Sequence, residues 1–338
     1  MERTLVTGAA GFLGSALVQA LQSAGAADGA LVLTDRAFAS ARSADAHATD
    51  GGGGVSKPSE QNLRVAGAPR RHPGDITDPR LLEQLFAEPV DTVYHLAGVV
   101  SGAAEADYEG GRRVNLDATQ ALLERCRLQA ASGGPVVRLV YASSIAVFGT
   151  PLPSRLDDDS APAPTLSYGT HKRACELLID DATRRGFIDG RALRLSGVVV
   201  RPPLANGALS GFNSDVIREP LAGRHYVCPV SPDATIWITT LIDAIGNLRR
   251  LACIDGATIG PQRATTTPSL ALSIGAVVAA LDRFIPGASG LVAYAAQDAI
   301  EAQFGRWPLD RAFDKGRALG LTCATSIDDV IRTHLDIR

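Results

Sequence analysis

No stretch of this 338-residue chain stays apolar for the roughly 18 positions that a membrane helix needs, so no spanning segment and no membrane partner are expected. No block of basic residues stands out either. Lys plus Arg number 33 and Asp plus Glu 36, a net charge of -3, and nothing in that balance would draw the chain to nucleic acid. Cysteine is sparse and scattered: Cys126, Cys175, Cys228, Cys253 and Cys323 lack the close pairwise spacing of a zinc or redox site. Free thiols in a reducing compartment, and with them a cytoplasmic location, are the expectation. Met1-Glu2-Arg3-Thr4 leads directly into a strand-like run, without the cationic start, apolar segment and cleavage site of a secretory leader. What remains is the composition of an ordinary globular enzyme, 46% hydrophobic and 20% charged. The length suits about two domains, or one large sheet domain with an appended lobe.

Strand-like and helix-like segments alternate through the first half. Thr4–Thr7, Leu31–Leu33, Thr92–Leu96, Val136–Ala142 and Ala192–Val200 read as buried strands. Gly11–Ala24, Pro79–Ala87 with Asp78 as N-cap, Ala104–Ala130 and Tyr168–Arg185 read as helices. Continuous apolar strands bridged by amphipathic helices predict an α/β fold, a doubly wound parallel sheet covered on both faces. The third strand has two candidates, Leu63–Ala66 and the residues just before Gly74. Ala37 to Asn62, rich in Ala, Ser, Asp and Gly, reads as a flexible insertion after the second strand. Beyond Val200 the texture changes. Ser214–Leu221, Thr239–Leu251, Pro268–Phe284 and Ser326–Ile337 read as helices, and a smaller mixed α/β lobe is expected from discontinuous segments. The expected division is a dinucleotide-binding domain over 1–200 with 235–256, and a substrate lobe from 203–234 and 257–338 with 151–166.

Gly8, Gly11 and Gly14 are spaced Gly-x-x-Gly-x-x-Gly between the first strand and the first helix, with Phe12 and Leu13 opening the helix. Gly8 permits the tight turn, Gly11 lets the backbone approach a pyrophosphate, and Gly14 lets helix and strand pack closely. The helix N-terminus adds free N–H groups and the positive end of its dipole. Asp35 ends the second strand, where a carboxylate accepts from ribose hydroxyls and repels a 2′-phosphate, which favours NAD over NADP. Arg36 beside it would soften that preference. Asp75 and Ile76 suit contact with adenine, and Leu96, Ala97 and Gly98 end a strand with small residues beside the cofactor.

Tyr168 and Lys172 are four apart on a predicted helix and share a face. A free phenol has a pKa near 10, too high for a base at neutral pH, and an adjacent ammonium favours the phenolate. Ser143 and Ser144 end the preceding strand at the cofactor-facing edge. This set, with Asp35, Gly74-Asp75, His95-Leu96-Ala97 and Asn115 in Val114-Asn115-Leu116, resembles the extended short-chain dehydrogenase/reductase family, the NAD-dependent epimerases and dehydratases, over nearly the whole chain. The resemblance implies that the serine orients the reacting hydroxyl or carbonyl, the tyrosine transfers its proton, and the lysine lowers the tyrosine pKa and holds the nicotinamide ribose. Ser144 is assigned the catalytic role and Ser143 a supporting one, with the reverse left open. Asn115 joins the cofactor set. A homodimer through the helices of Ala104–Ala130 and Tyr168–Arg185 is also implied.

A narrower resemblance, through Val99–Gly102, Ser144–Gly149, Arg185–Phe187, Asp189–Leu195, Val199–Pro202 and Ile217–Gly223, is to the members of that family that oxidise the 2-hydroxyl of a four-carbon, D-erythronate-like sugar acid. The chain departs from them at Pro203-Leu204-Ala205, at Ile238-Thr239-Thr240-Leu241 and at Ser196. A sugar acid needs a cation for its carboxylate, and a guanidinium binds one bidentately. Arg218 is the candidate, with Ser101 and Asn206 on substrate hydroxyls. Arg201, Arg218 and Arg224 could also serve a diphosphate, which keeps a nucleotide-sugar epimerase or dehydratase in view; a dinucleotide-binding scaffold without chemistry is the third reading. His171 is expected to face away from the Tyr–Lys pair, His95 to make a core hydrogen bond, and Asp157-Asp158-Asp159 to be solvated charge and no metal site.

Overall fold

The computed structural model describes residues 2–38, 69–203 and 209–336. Its centre is a seven-stranded, wholly parallel sheet in the order β11-β7-β5-β4-β1-β2-β3. The strands are β1 (Thr4–Thr7), β2 (Leu31–Asp35), β3 (Arg70–Pro73), β4 (Thr92–His95), β5 (Val137–Ser144), β7 (Ile188–Leu195) and β11 (Ala264–Thr266). Side chains alternate across the pleat, so Leu5 packs into one apolar layer and Val6 into the other. Helices Phe12–Ser23 and Leu241–Cys253 cover one face through Leu17, Leu248 and Leu251. Helices Pro79–Leu85, Ala118–Ala131 and Ser167–Arg184 cover the other through Leu85, Leu122 and Ile179. Each fully buried leucine of these layers contributes about 1.5–3 kcal/mol.

The lobe has its own core of Phe212, Val216, Ile217, Ile236, Ile238, Val277 and Leu281. It contains a three-stranded sheet of β12 (Leu270–Ser273), β10 (Thr235–Thr240) and β8 (Gly197–Val199). Two short parallel pairs complete it: β13 (Val292–Tyr294) with β9 (Tyr226–Cys228), and β14 (Asp310–Ala312) with β6 (Arg155–Asp157). A third apolar group, Val147, Phe148, Trp237, Trp307 and Phe313, lies between lobe and sheet. Among the described residues no helix is long and apolar enough to cross a membrane.

Several expectations are corrected. The third strand is the run just before Gly74, while Leu63–Ala66 and all but the first two residues of the Ala37–Asn62 insertion lie outside the described residues. The strand expected over Ala192–Val200 breaks at Ser196; its last part leaves the large sheet and pairs with β10 in the lobe. Conversely β11, expected in the lobe, closes the edge of the large sheet. The long helix expected within Ala104–Ala130 is Ala118–Ala131, and shorter helical pieces precede it. Asp107 ends Ser101–Ala106 and caps Tyr108–Arg112 by accepting from the Gly110 N–H, and a π-turn over Arg113–Asp117 precedes the long helix. The helix expected over Pro268–Phe284 is strand β12 followed by Ile274–Leu281, with Ser273 capping the switch.

Candidate active site

Beyond the C-terminal ends of β1, β4, β5 and β7 the lobe and the sheet enclose a cavity of about 730 Å³. The position is the one where open α/β sheets bind ligands. Its first end is the glycine turn. Gly8 has φ of +69°, and a Cβ there would lie 2.7 Å from the Ala97 nitrogen. A Cβ on Gly14 would lie 2.0 Å from the Gly8 carbonyl oxygen, so helix and turn touch through bare backbone. Gly11 differs: its φ of -71° suits any residue, and a Cβ would meet only the Gly8 oxygen at 3.2 Å. Gly8, Gly11, Phe12, Leu13, Gly14, Asp35, Leu96 and Gly98 line this end. Asp35 accepts from the backbone N–H of Ala10 at 3.0 Å and of Ala37 at 2.8 Å, which fixes its carboxylate beside the turn. A helix N-terminus behind a turn without side chains, with a carboxylate at its flank, fits a dinucleotide.

Four residues of the expected cofactor set stand behind the wall. Asp75 accepts from the Thr77 N–H and hydroxyl at 2.9 and 2.8 Å and faces Arg36 at 3.8 Å. Burial works to raise its pKa, but those bonds and that charge hold it below the usual carboxylate range. Ile76 is in the core, and the Ala97 N–H donates to the Thr7 hydroxyl at 3.3 Å. Asn115 donates to the Val99 carbonyl at 3.0 Å and accepts from its N–H at 2.7 Å, pinning the segment that lines the cavity. His95 bridges the Thr7 and Thr119 hydroxyls at 2.7 and 2.9 Å, a satisfied core histidine.

At mid-cavity Tyr168, Lys172 and Ser144 all line the wall. Ser144 caps the short turn after β5, accepting from the Ala146 N–H at 3.1 Å, and shares the cavity wall with Tyr168. The Lys172 ammonium donates to the Ala142 carbonyl at 2.7 Å and stands 4.5 Å from the Tyr141 ring centroid and 5.6 Å from that of Tyr168. Burial lowers its pKa to about 8, against the charge of Cys175 and Glu176. Burial raises the Tyr168 pKa, while the Ser144 hydrogen bond and the Arg201 charge pull it down. Arg201, on the same wall, is a second cation acting on the phenol, beside the Lys172 to which the motif pointed. Ser143 turns inward, donating to buried Glu176 at 2.6 Å; Glu176 also accepts from Arg194 at 2.9 Å and from Arg173 at 3.0 Å. His171 sits behind the wall, its ring centroid 6.1 Å from that of Tyr108.

The far end holds the surprises. Arg218 is not among the described lining residues. It donates to Asp215 at 2.5 Å, to Glu219 at 2.9 Å and to the Arg201 carbonyl at 2.6 Å, so its donors are already engaged. Asn206 lies outside the described residues. Ser101 lines the cavity, as expected. Ser196, already marked as a point of departure, lines it too; Asn213, Trp237, Phe304 and Trp307 also do and were not foreseen, and Arg201 had been weighed only as a diphosphate cation. Ser196 follows the last residue of β7, so the strand-end rule that singled out Ser143 and Ser144 would also have found it. Asp157 and Asp158 have protein partners: Asp157 accepts from the Ser160 hydroxyl at 2.8 Å and Asp158 from the Lys315 N–H at 2.8 Å.

The sequence profile of the NAD dependent epimerase/dehydratase family matches residues 4–232. The chain belongs to that family. Its cofactor is accordingly NAD, and it is an oxidoreductase working on carbinol groups. A protein of Cupriavidus necator named D-erythronate dehydrogenase is 40% identical over 264 residues, 78% of this chain and 80% of its own. One of the same name from Haemophilus influenzae is 32% identical over 260 residues, 76% of this chain and 81% of its own. Among solved structures, the nucleoside-diphosphate-sugar epimerase from Agrobacterium tumefaciens superposes with a TM-score of 0.84 at 33% identity, covering 99% of this chain and 94% of that one. The L-threonine dehydrogenase of Clostridium difficile, at 20% identity and a TM-score of 0.79 over 99% of this chain and 97% of its own, shares the fold.

Proposed function

We propose that this protein is an NAD-dependent dehydrogenase of a small, D-erythronate-like sugar acid, and that it oxidises the 2-hydroxyl to the 2-oxo acid. The observation that carries the proposal is that Tyr168, Ser144 and Lys172 line the same cavity into which the glycine turn opens. NAD, when bound, supplies the hydride acceptor. The chain supplies everything else. Gly8, Gly11 and Gly14 with the helix N-terminus hold the pyrophosphate, and Asp35 takes the adenine-side ribose. Ser144 orients the substrate hydroxyl, and the Tyr168 oxygen accepts its proton as the carbonyl forms. Lys172, fixed by the Ala142 carbonyl, holds the second ribose and keeps positive charge beside the phenol. Hydride transfer needs water excluded from the reacting carbon, and the apolar surfaces of Trp237, Phe304 and Trp307 supply that shelter.

The relatives named D-erythronate dehydrogenase support the substrate class. The epimerase structure at 33% identity keeps a second reading alive, in which the hydride returns to a nucleotide-sugar. The two separate cleanly. NADH should accumulate, followed by its absorbance, with D-erythronate or a related four- to six-carbon aldonate. No turnover across that panel, with bound NAD verified, discards the proposal. Conversion of a UDP-sugar without net NADH would establish the alternative.

A further inference from the structure

The end of the cavity beyond Tyr168 contains more polar equipment than proton transfer requires. Ser196 and Asn213 are each 6% exposed, and the Ser196 hydroxyl and the Asn213 side-chain oxygen have no hydrogen-bond partner among the described residues. Buried polar atoms are nearly always paired, and a pair of orphans in a ligand cavity points to a ligand. Their placement is built. Gly197 lies between them, and a Cβ on it would stand 2.8 Å from the Asn213 amide nitrogen and 3.1 Å from the Trp237 carbonyl oxygen. Any larger residue there would push Asn213 off the wall. Arg201 completes the group. Its Nε donates to the Val198 carbonyl at 2.9 Å, and no carboxylate among the described residues pairs with its guanidinium. Its backbone is clamped at both ends: its N–H donates to the Ser214 hydroxyl at 3.1 Å, and its carbonyl accepts from Arg218 at 2.6 Å.

We infer that Arg201, Ser196 and Asn213 form the acid-recognition subsite, in which Arg201 takes the substrate carboxylate and the other two take hydroxyl groups. The inference rests on the sugar-acid reading and names its specificity residues. Three features support it. A guanidinium with its terminal nitrogens unused by neighbouring carboxylates matches one carboxylate. Among the described lining residues the other cations are Arg36, beside Asp35 at the opposite end, and Lys172, tied to Ala142, so the charge at this end is that of Arg201 alone. Finally, Arg201 is close enough for its charge to act on Tyr168. Both residues line one cavity, so a single 2-hydroxy acid can place its carboxylate on Arg201 and its hydroxyl on Tyr168. Arg218 becomes a positioning residue that holds the Arg201 backbone.

The test compares binding of D-erythronate and its uncharged primary amide to the NADH-loaded enzyme by calorimetry, where no oxidation can occur, alongside turnover of the acid with NAD. Arg201→Gln should weaken the acid roughly 30-fold or more and the amide little. Arg201→Lys should recover part of the loss. Ser196→Ala and Asn213→Ala should weaken acid and amide alike. An unchanged acid-to-amide ratio in Arg201→Gln, with the wild type oxidising D-erythronate, overturns the subsite and leaves the function standing. Arg201-dependent binding without oxidation overturns the function and leaves the subsite. No binding of the acid by the wild type overturns both.

Discussion

Three glycines let folding and cofactor binding be read apart. Alanine at Gly8 must adopt φ of +69°, at about 1–2 kcal/mol, and must also move a backbone nitrogen from 2.7 Å, at about 1–3 kcal/mol more. A total of about 2–5 kcal/mol should lower the melting temperature by several degrees or more. Alanine at Gly25 carries the same kind of backbone strain, with φ of +85°, but has nothing within 4 Å. It should cost only the first term and leave NAD affinity intact. Alanine at Gly11 meets neither penalty, since its φ is -71° and its nearest neighbour stands at 3.2 Å. It should melt within about 1 kcal/mol of the wild type, the usual loss at an N-cap. Its methyl would nevertheless enter the space of the pyrophosphate, so NAD should bind at least about tenfold more weakly, some 1.4 kcal/mol. Thermal melting and NAD titration of the three variants make one experiment. A Gly11→Ala protein that binds NAD normally, or that melts as low as Gly8→Ala, would refute the assigned division between turn and cradle.

Tyr168→Phe should abolish NADH formation while NAD affinity, measured by titration, stays near wild type; undiminished turnover would remove Tyr168 from the chemistry. The rate should rise with pH as Tyr168 loses its proton, and in Arg201→Gln the midpoint should move upward, because that charge lowers the phenol pKa in a wall that also holds Ser144 and Lys172. Glu176→Gln should destabilise the fold by about 3–5 kcal/mol in a denaturant titration, since it leaves Arg194 without its buried partner. Burial lowers the His95 pKa to about 3, far below its value near 6.5 in the unfolded chain, and Lys172 adds to the effect. Between those values the unfolded state binds the extra proton, so stability present above pH 6.5 should fall by up to about 1.4 kcal/mol per unit as pH drops toward 3. His95→Gln should flatten that slope.

The parallel sheet was legible because its strands are short apolar runs punctuated by Gly8, Asp35 and the strand-end serines, and each signal has a local cause. The elements that misled lack such causes. Leu270–Ser273 has too few residues to distinguish a strand from a helical turn by periodicity, so it merged with the helix behind it. The break at Asp107 and the π-turn after it come from contacts that the periodicity of 104–130 does not record. The site divides in the same way. Gly8, Ser144, Tyr168 and Lys172 follow from motifs in which neighbours are close in sequence. Arg218 did not come to the cavity, and a sequence signal was at hand: Asp215 stands three residues before it and Glu219 directly after, two carboxylates ready to hold it. Asn213 gave none, because its role depends on the absent side chain of Gly197, sixteen residues earlier in the chain.

Glu176 belongs to the helix that carries Tyr168, and it fastens that helix to the end of β5 through Ser143 and to β7 through Arg194. The fold itself therefore fixes the helix of Tyr168 and Lys172 against the sheet. The wall opposite is assembled from another part of the chain: Asn213, Trp237, Phe304 and Trp307. In the proposed reaction, chemistry and selectivity then share only Arg201, whose charge also reaches Tyr168. A designer could exchange the aromatic panel or the amide to admit a longer or more branched acid while the proton-transfer unit keeps its shape, and the same independence would let a lineage drift between substrates without passing through an inactive ancestor.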